Sequence, residues 1–222
     1  MSLPRADSAD ICLLLEGTFP YVSGGVSSWV NQIIRGFPEY TFACCFVGSR
    51  PEDYGEMKYE LPDNVVHLEV HYLHNFQRGP QKRSLKGNRK AYADLRRFHE
   101  MVKEGVHSRE RSELFSRIVT HLGEGEDYSE ESFLHSRASW DYIADAYREF
   151  SRDPSFVDYF WTVRIMHSPI WVLNDIANNL LPAKMYHTIS TGYAGFLGAM
   201  LKRRTGKPLL LSEHGIYTKE RK

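Results

Sequence analysis

The chain has 222 residues, 42% of them hydrophobic, enough for a normal core in one domain or at most two small ones. Lys+Arg and Asp+Glu stand at 28 each, so the formal net charge is zero and gives no electrostatic case for a nucleic-acid or membrane-surface partner. The longest uncharged apolar run, Ile11 to Leu15, is far too short to span a bilayer, and Met1 to Ala9 lacks the pattern of a signal peptide.

In chain order, Asp10 to Glu16 (DICLLLE) predicts a first strand, followed by a glycine-bearing loop, Gly17 to Gly25. Val26 to Phe37 carries apolar residues at 26, 29, 30, 33, 34 and 37, the spacing of one helical face, and Pro38 ends it. Tyr40 to Val47 and Asn64 to Leu73 read as the next two strands. From about Asn75 to Leu181 no convincing strand appears. Arg78 to Asn88 reads as an exposed basic loop, and four helical stretches follow: Arg89 to Lys103, Ser108 to Leu122, Glu131 to Phe150 and Phe156 to Leu180. Gly123 to Asp127 and Asp153-Pro154 separate the last three. Their aromatics, Phe133, Trp140, Tyr142, Tyr147, Phe150, Phe160 and Trp161, are expected in a core. Lys184 to Ser190 then reads as a strand, Tyr193 to Arg204 as a helix and Pro208 to Ser212 as a strand.

This alternation predicts an α/β fold: a Rossmann-like, doubly wound parallel sheet over residues 7–222, with a helical insertion at about 75–181. The usual strand order, 3-2-1-4-5, would make the first and fourth strands neighbours. Cys12, Cys44 and Cys45 fall inside strands and are odd in number, so they are expected as buried free thiols in a reducing cytoplasm.

The sharpest local feature is E-G-T-F-P-Y-V-S-G-G-V-S-S-W, Glu16 to Trp29, joining the first strand to the first helix. A doubly wound sheet places phosphate and sugar ligands there. Gly24 and Gly25 permit close backbone approach and φ > 0, and the first helical turn favours an anion; a plain tight turn is the alternative. Neither G-x-G-x-x-G nor G-x-x-x-x-G-K-[ST] occurs, against dehydrogenase and P-loop chemistry. Ser190 to Gly195 (S-T-G-Y-A-G) and Leu211 to Lys219 (L-S-E-H-G-I-Y-T-K) likewise follow strands. Together these loops predict a polar binding edge with Ser23, Gly24, Gly25, Thr191, Gly192 and Glu213. His214 could bond a sugar hydroxyl or phosphate, or cap the strand end. His67, Glu69 and His71 share one strand face, but without the H-E-x-x-H pattern or a Cys partner no metal site is expected.

The three loop motifs resemble the N-terminal region of PelF-type enzymes in glycosyltransferase family 4, transferases of exopolysaccharide assembly, from about Asp10 to the last residue. The resemblance implies the N-terminal half of a GT-B fold, in which two Rossmann-like domains face each other across a cleft. It implies a retaining hexosyltransferase that takes a UDP-sugar, UDP-glucose or a relative, to a polysaccharide acceptor without a required metal or other cofactor. Carried over by position, Gly24 and Gly25 would approach the donor and His214 would line the cleft as the candidate catalytic residue. The family's C-terminal, donor-binding domain with its E-x7-E signature is absent from these residues, and Thr218 to Lys222 reads as an opening helix; the chain by itself is expected to be inactive. The alternative is a non-catalytic nucleotide- or polysaccharide-binding module, or one docking on a membrane-embedded synthase partner through Trp140, Trp161 and Trp171. A nucleotide-sugar epimerase is disfavoured by the missing G-x-G-x-x-G and Tyr-x-x-x-Lys.

Overall fold

A computed structural model describes residues 3–74, 85–152 and 155–214. In chain order its elements begin with β1 (Ala9–Glu16), α1 (Gly25–Gly36), β2 (Phe42–Gly48) and β3 (Val65–Tyr72). Helices follow: α2 (Arg89–Lys103), α3 (Arg109–Thr120), α4 (Glu130–His135), α5 (Arg137–Phe150), α6 (Phe156–His167) and α7 (Pro169–Asn179). The chain closes with β4 (Ala183–Thr188), α8 (Tyr193–Thr205) and β5 (Leu209–Leu211). Two compact units result, one of Met1–Phe76 with Ile176–Lys222, the other of Gln77–Asp175.

The first unit is a five-stranded parallel sheet in the order β3-β2-β1-β4-β5, the doubly wound order the alternation predicts. Its central strands are apolar without alternation because both faces are covered. One face sends Leu13 and Leu15 from β1 and Phe42, Cys44 and Phe46 from β2 against Val30 and Ile34 of α1. Burying each large side chain of this kind stabilises the fold by about 1.5–3 kcal/mol. On the other face α8 runs so close that a Cβ on Gly198 would lie 2.8 Å from Leu209 and 3.3 Å from Leu14. Gly206, with φ 69, takes the left-handed conformation that ends α8. Cys12, Cys44 and Cys45 are free and fully buried, as expected, and burial raises all three thiol pKa values, that of Cys44 to about 12.

Phe37 departs from the expected helical face. It caps the C-terminal end of α1 instead of extending it, and it is exposed.

The second unit is helical. Asn88, Ser108, Ser129, Ser136 and Ser155 each cap the helix that follows by accepting from its first-turn amides. Tyr92, Phe133, Ala138 and Ile143 form its core, and Tyr128 donates to the Ala91 carbonyl at 2.8 Å. Two of the four expected helical stretches are broken. Ser136 is extended, ending α4 and capping α5 in one residue. Pro169 lacks the amide that would continue α6 and opens α7. The expected aromatic core holds only in part: Phe133 is buried, whereas Trp140, Phe150 and Trp161 are exposed. Residues 75–84, 153 and 154, which include most of the expected basic loop and the Asp153-Pro154 break, lie outside the described residues.

Candidate functional site

The parallel order puts the C-terminal ends of β1, β4 and β5 side by side, and all three motif loops leave the sheet there. The first contact among them is made by Glu16, the last residue of β1. Its Oε2 accepts from the Ser190 hydroxyl at 2.9 Å and from the Ala194 amide at 3.0 Å. Ala194 lies in the first turn of α8, so the protein's own carboxylate fills the anion-favouring end of that helix. The Gly192 amide donates to Ser190 Oγ at 3.0 Å and completes the turn. Gly192 is needed for space: a Cβ there would lie 2.6 Å from Glu16 Oε2.

The N-terminal end of α1 is different. Gly24 precedes the helix in extended conformation and supplies no side-chain cap. A Cβ on Gly24 or Gly25 would meet no atom within 4 Å, and neither glycine lies in the left-handed region, Gly24 being extended at φ 161. The left-handed backbone expected at this pair is therefore not realised. The left-handed glycine of the loop is Gly17, at φ 59. Tyr59 holds the pair in place: its hydroxyl lies 3.1 Å from Ser28 Oγ and accepts from the Gly24 amide at 3.4 Å. Ser23, Gly24, Gly25 and Ser28 are exposed, whereas Ser27 is buried.

The third loop closes the rim. Ser212 N donates to the Thr188 carbonyl at 2.9 Å, and Ser212 Oγ shares a hydrogen bond with His187 Nε2 at 2.9 Å. Burial lowers the His187 pKa, and the neighbouring His214 lowers it further, so this imidazole is neutral at neutral pH. Trp29 of α1 packs edge-on against both rings, 4.4 Å from His214 and 6.0 Å from His187 between centroids. Thr191 Oγ1 donates to Glu213 Oε1 at 3.4 Å. Of the expected site residues, Thr191 and Glu213 thus meet directly, and Gly192 abuts Glu16. His214 stands against α1, while Ser23, Gly24 and Gly25 line the open end of that helix. Residues 215–222, with the rest of the third motif and the expected opening helix, lie outside the described residues.

Sequence reasoning missed Glu16, Trp29, Tyr59, His187 and Ser212. Only Glu16 carried a signal, as a charged residue closing an otherwise apolar strand. The rim offers hydroxyls, the exposed Glu213 carboxylate, imidazoles and open helix-end amides, a set suited to a hydroxyl-rich or anionic ligand. Segments 16–29, 187–194 and 212–214 contain no Lys or Arg.

His67, Glu69 and His71 do share one face of β3, and they bond one another. Glu69 accepts from His67 Nε2 at 2.8 Å and from His71 Nε2 at 2.9 Å. Burial alone would raise the Glu69 pKa, but the two histidines outweigh it and lower the value. Among the described residues no group of three or more His, Cys, Asp or Glu is placed to hold a metal ion, and no helix is long and apolar enough to cross a membrane.

No curated protein and no solved structure matches the chain. The family model of DUF3492, a domain of unknown function, covers residues 9–222, and the chain belongs to that family.

Proposed function

We propose that this chain is the acceptor-side, N-terminal unit of a retaining, PelF-type transferase of glycosyltransferase family 4 with GT-B architecture. It works in the cytoplasm, moving a sugar from UDP-glucose or a related donor to a growing exopolysaccharide. The observation that carries the reading is the contrast between two helix ends on one rim. Glu16 occupies the start of α8, while the start of α1 faces open space at Gly24 and Gly25, where packing does not require glycine. An anionic phosphate is therefore repelled at the first and free to approach the second. Gly24, Gly25 and the Ser23 hydroxyl take the donor side. Thr191, Glu213 and His214 hold hydroxyls of the acceptor. Positive charge for the departing UDP comes from a second, donor-binding unit, because the described residues of the three rim segments carry none.

The test is Gly24→Val in a transferase that contains this chain. It should lower kcat/KM at least about tenfold while leaving the melting temperature in place. Wild-type kcat/KM in that variant would remove the donor assignment. A second reading, a non-catalytic polysaccharide-binding module, is favoured by the same lack of Lys and Arg among the described rim residues. Oligosaccharide binding with no turnover in any longer form of the protein would select it.

A further inference from the structure

Helix α6 is apolar on nearly every side, yet none of its twelve residues is fully buried. Its inner side, Phe156, Tyr159, Phe160 and Val163, packs on the core of the helical unit. Its outer side leaves Val157 61%, Trp161 54%, Ile165 55% and Met166 62% exposed. Trp140 of α5, 44% exposed, continues the same patch: its ring lies 5.3 Å from Phe160, which lies 5.7 Å from Trp161.

We propose that this outer face of α6 is a homodimer interface, in which two copies of the chain pair antiparallel about a twofold axis at Trp161. Three observations select a second copy as the occupant. The first is symmetry. Val157, Trp161 and Ile165 are spaced by four on one stripe, so a twofold axis at Trp161 sets Trp161 on itself and Val157 on Ile165 of the second copy. An isologous contact demands this self-complementarity. The second is area. The exposed apolar side chains present on the order of 500 Å² per copy, at the top of what a monomer usually exposes and sufficient, doubled, for the roughly 1,000 Å² of a specific interface. The third is charge. A helix lying on a lipid surface needs a basic polar face. Asp158 and Arg164 are the only Asp, Glu, Lys or Arg of α6, and the Arg164 guanidinium turns inward, 4.3 Å from the Phe160 ring and donating to the Leu134 carbonyl. The surface is independent of the sheet-end loops and of the function proposed for them.

Sedimentation velocity on the chain over a concentration series tests it. A monomer–dimer equilibrium with a dissociation constant of roughly 10 μM is expected, and Trp161→Glu should weaken it at least about thirtyfold with unchanged circular dichroism. If that variant misfolds, Ile165→Glu reads the same contact. Mild oxidation of Trp161→Cys should yield a cross-linked dimer, and Val157→Cys should not, because the axis brings only position 161 onto itself; the native thiols are buried and do not compete. A monomer up to several hundred micromolar would overturn the proposal. So would a dimer indifferent to Trp161→Glu, or capture of the monomer by phosphatidylglycerol vesicles through Trp161.

Discussion

The carboxylate of Glu16 and the amide of Ala194 lie 178 positions apart in the chain and 3.0 Å apart in space. One buttress thereby joins the end of β1 to the start of α8, and Gly192 leaves it room.

Glu16→Ala removes the acceptor of both the Ser190 hydroxyl and the Ala194 amide. A loss of about 1–3 kcal/mol in urea unfolding is expected, with Glu16→Gln less damaging. Gly192→Ala should cost a similar amount by pressing a methyl into the carboxylate. The cost of Gly192→Ala should shrink in the Glu16→Ala background, and strict additivity would show that the two residues do not interact.

Gly24→Ala is the counterpart. Its methyl enters open space, so the change should stay within about 1 kcal/mol in the same unfolding experiment. A larger loss would mean that the fold itself, not a ligand, requires glycine there.

The helical unit carries a pH-dependent element. His99 Nδ1 lies 2.6 Å from Tyr142 Oη, and His167 sits beside it at 6.0 Å between ring centroids. Burial, then the nearby His167, lowers the His99 pKa to about 4; burial also lowers that of His167. Burial raises the Tyr142 pKa, so the phenol stays protonated and donates. Both folded-state histidine values lie below the unfolded 6.5, so the unfolded chain binds protons first. Their contribution is complete above pH 6.5 and is lost as pH falls toward 4, by up to about 3 kcal/mol for His99. Urea midpoints at pH 7.5 and pH 4.5 should diverge in the wild type and converge in His99→Gln. Equal divergence in both would assign the acid sensitivity elsewhere.

The three thiols give a readout of the sheet. Buried and held protonated, Cys12, Cys44 and Cys45 should react with a disulfide reagent at pH 8 at least about a thousandfold slower in the native protein than in denaturant. Fast labelling of any one would place a local opening in β1 or β2.

Much of the first unit was legible in sequence because its information is local. Apolar runs, a 3.6-residue face and glycine loops mark strands and helices one at a time. The order β3-β2-β1-β4-β5 is the usual one of a doubly wound sheet. The loops carrying Gly24, Thr191 and His214 could be placed on one rim for the same reason. Pro169 breaks the single helix expected from Phe156 to Leu180, although proline removes an amide wherever it stands.

The remainder depended on tertiary structure. Periodicity cannot tell which side of the all-round apolar α6 faces the core, so Trp161 looked like an interior residue and is not; Trp140 of α5 is exposed as well. Nor can a local pattern pair Glu16 with Ser190 or bring Trp29 to His214, because those contacts arise only when the sheet aligns strands distant in the chain. By itself the sequence determined the strands of the first unit and the helices that follow β1 and β4, through backbone preference and hydrophobic spacing. Packing decided which glycine is crowded and which is open, through the space that side chains distant in sequence fill at Gly192 and leave empty at Gly24.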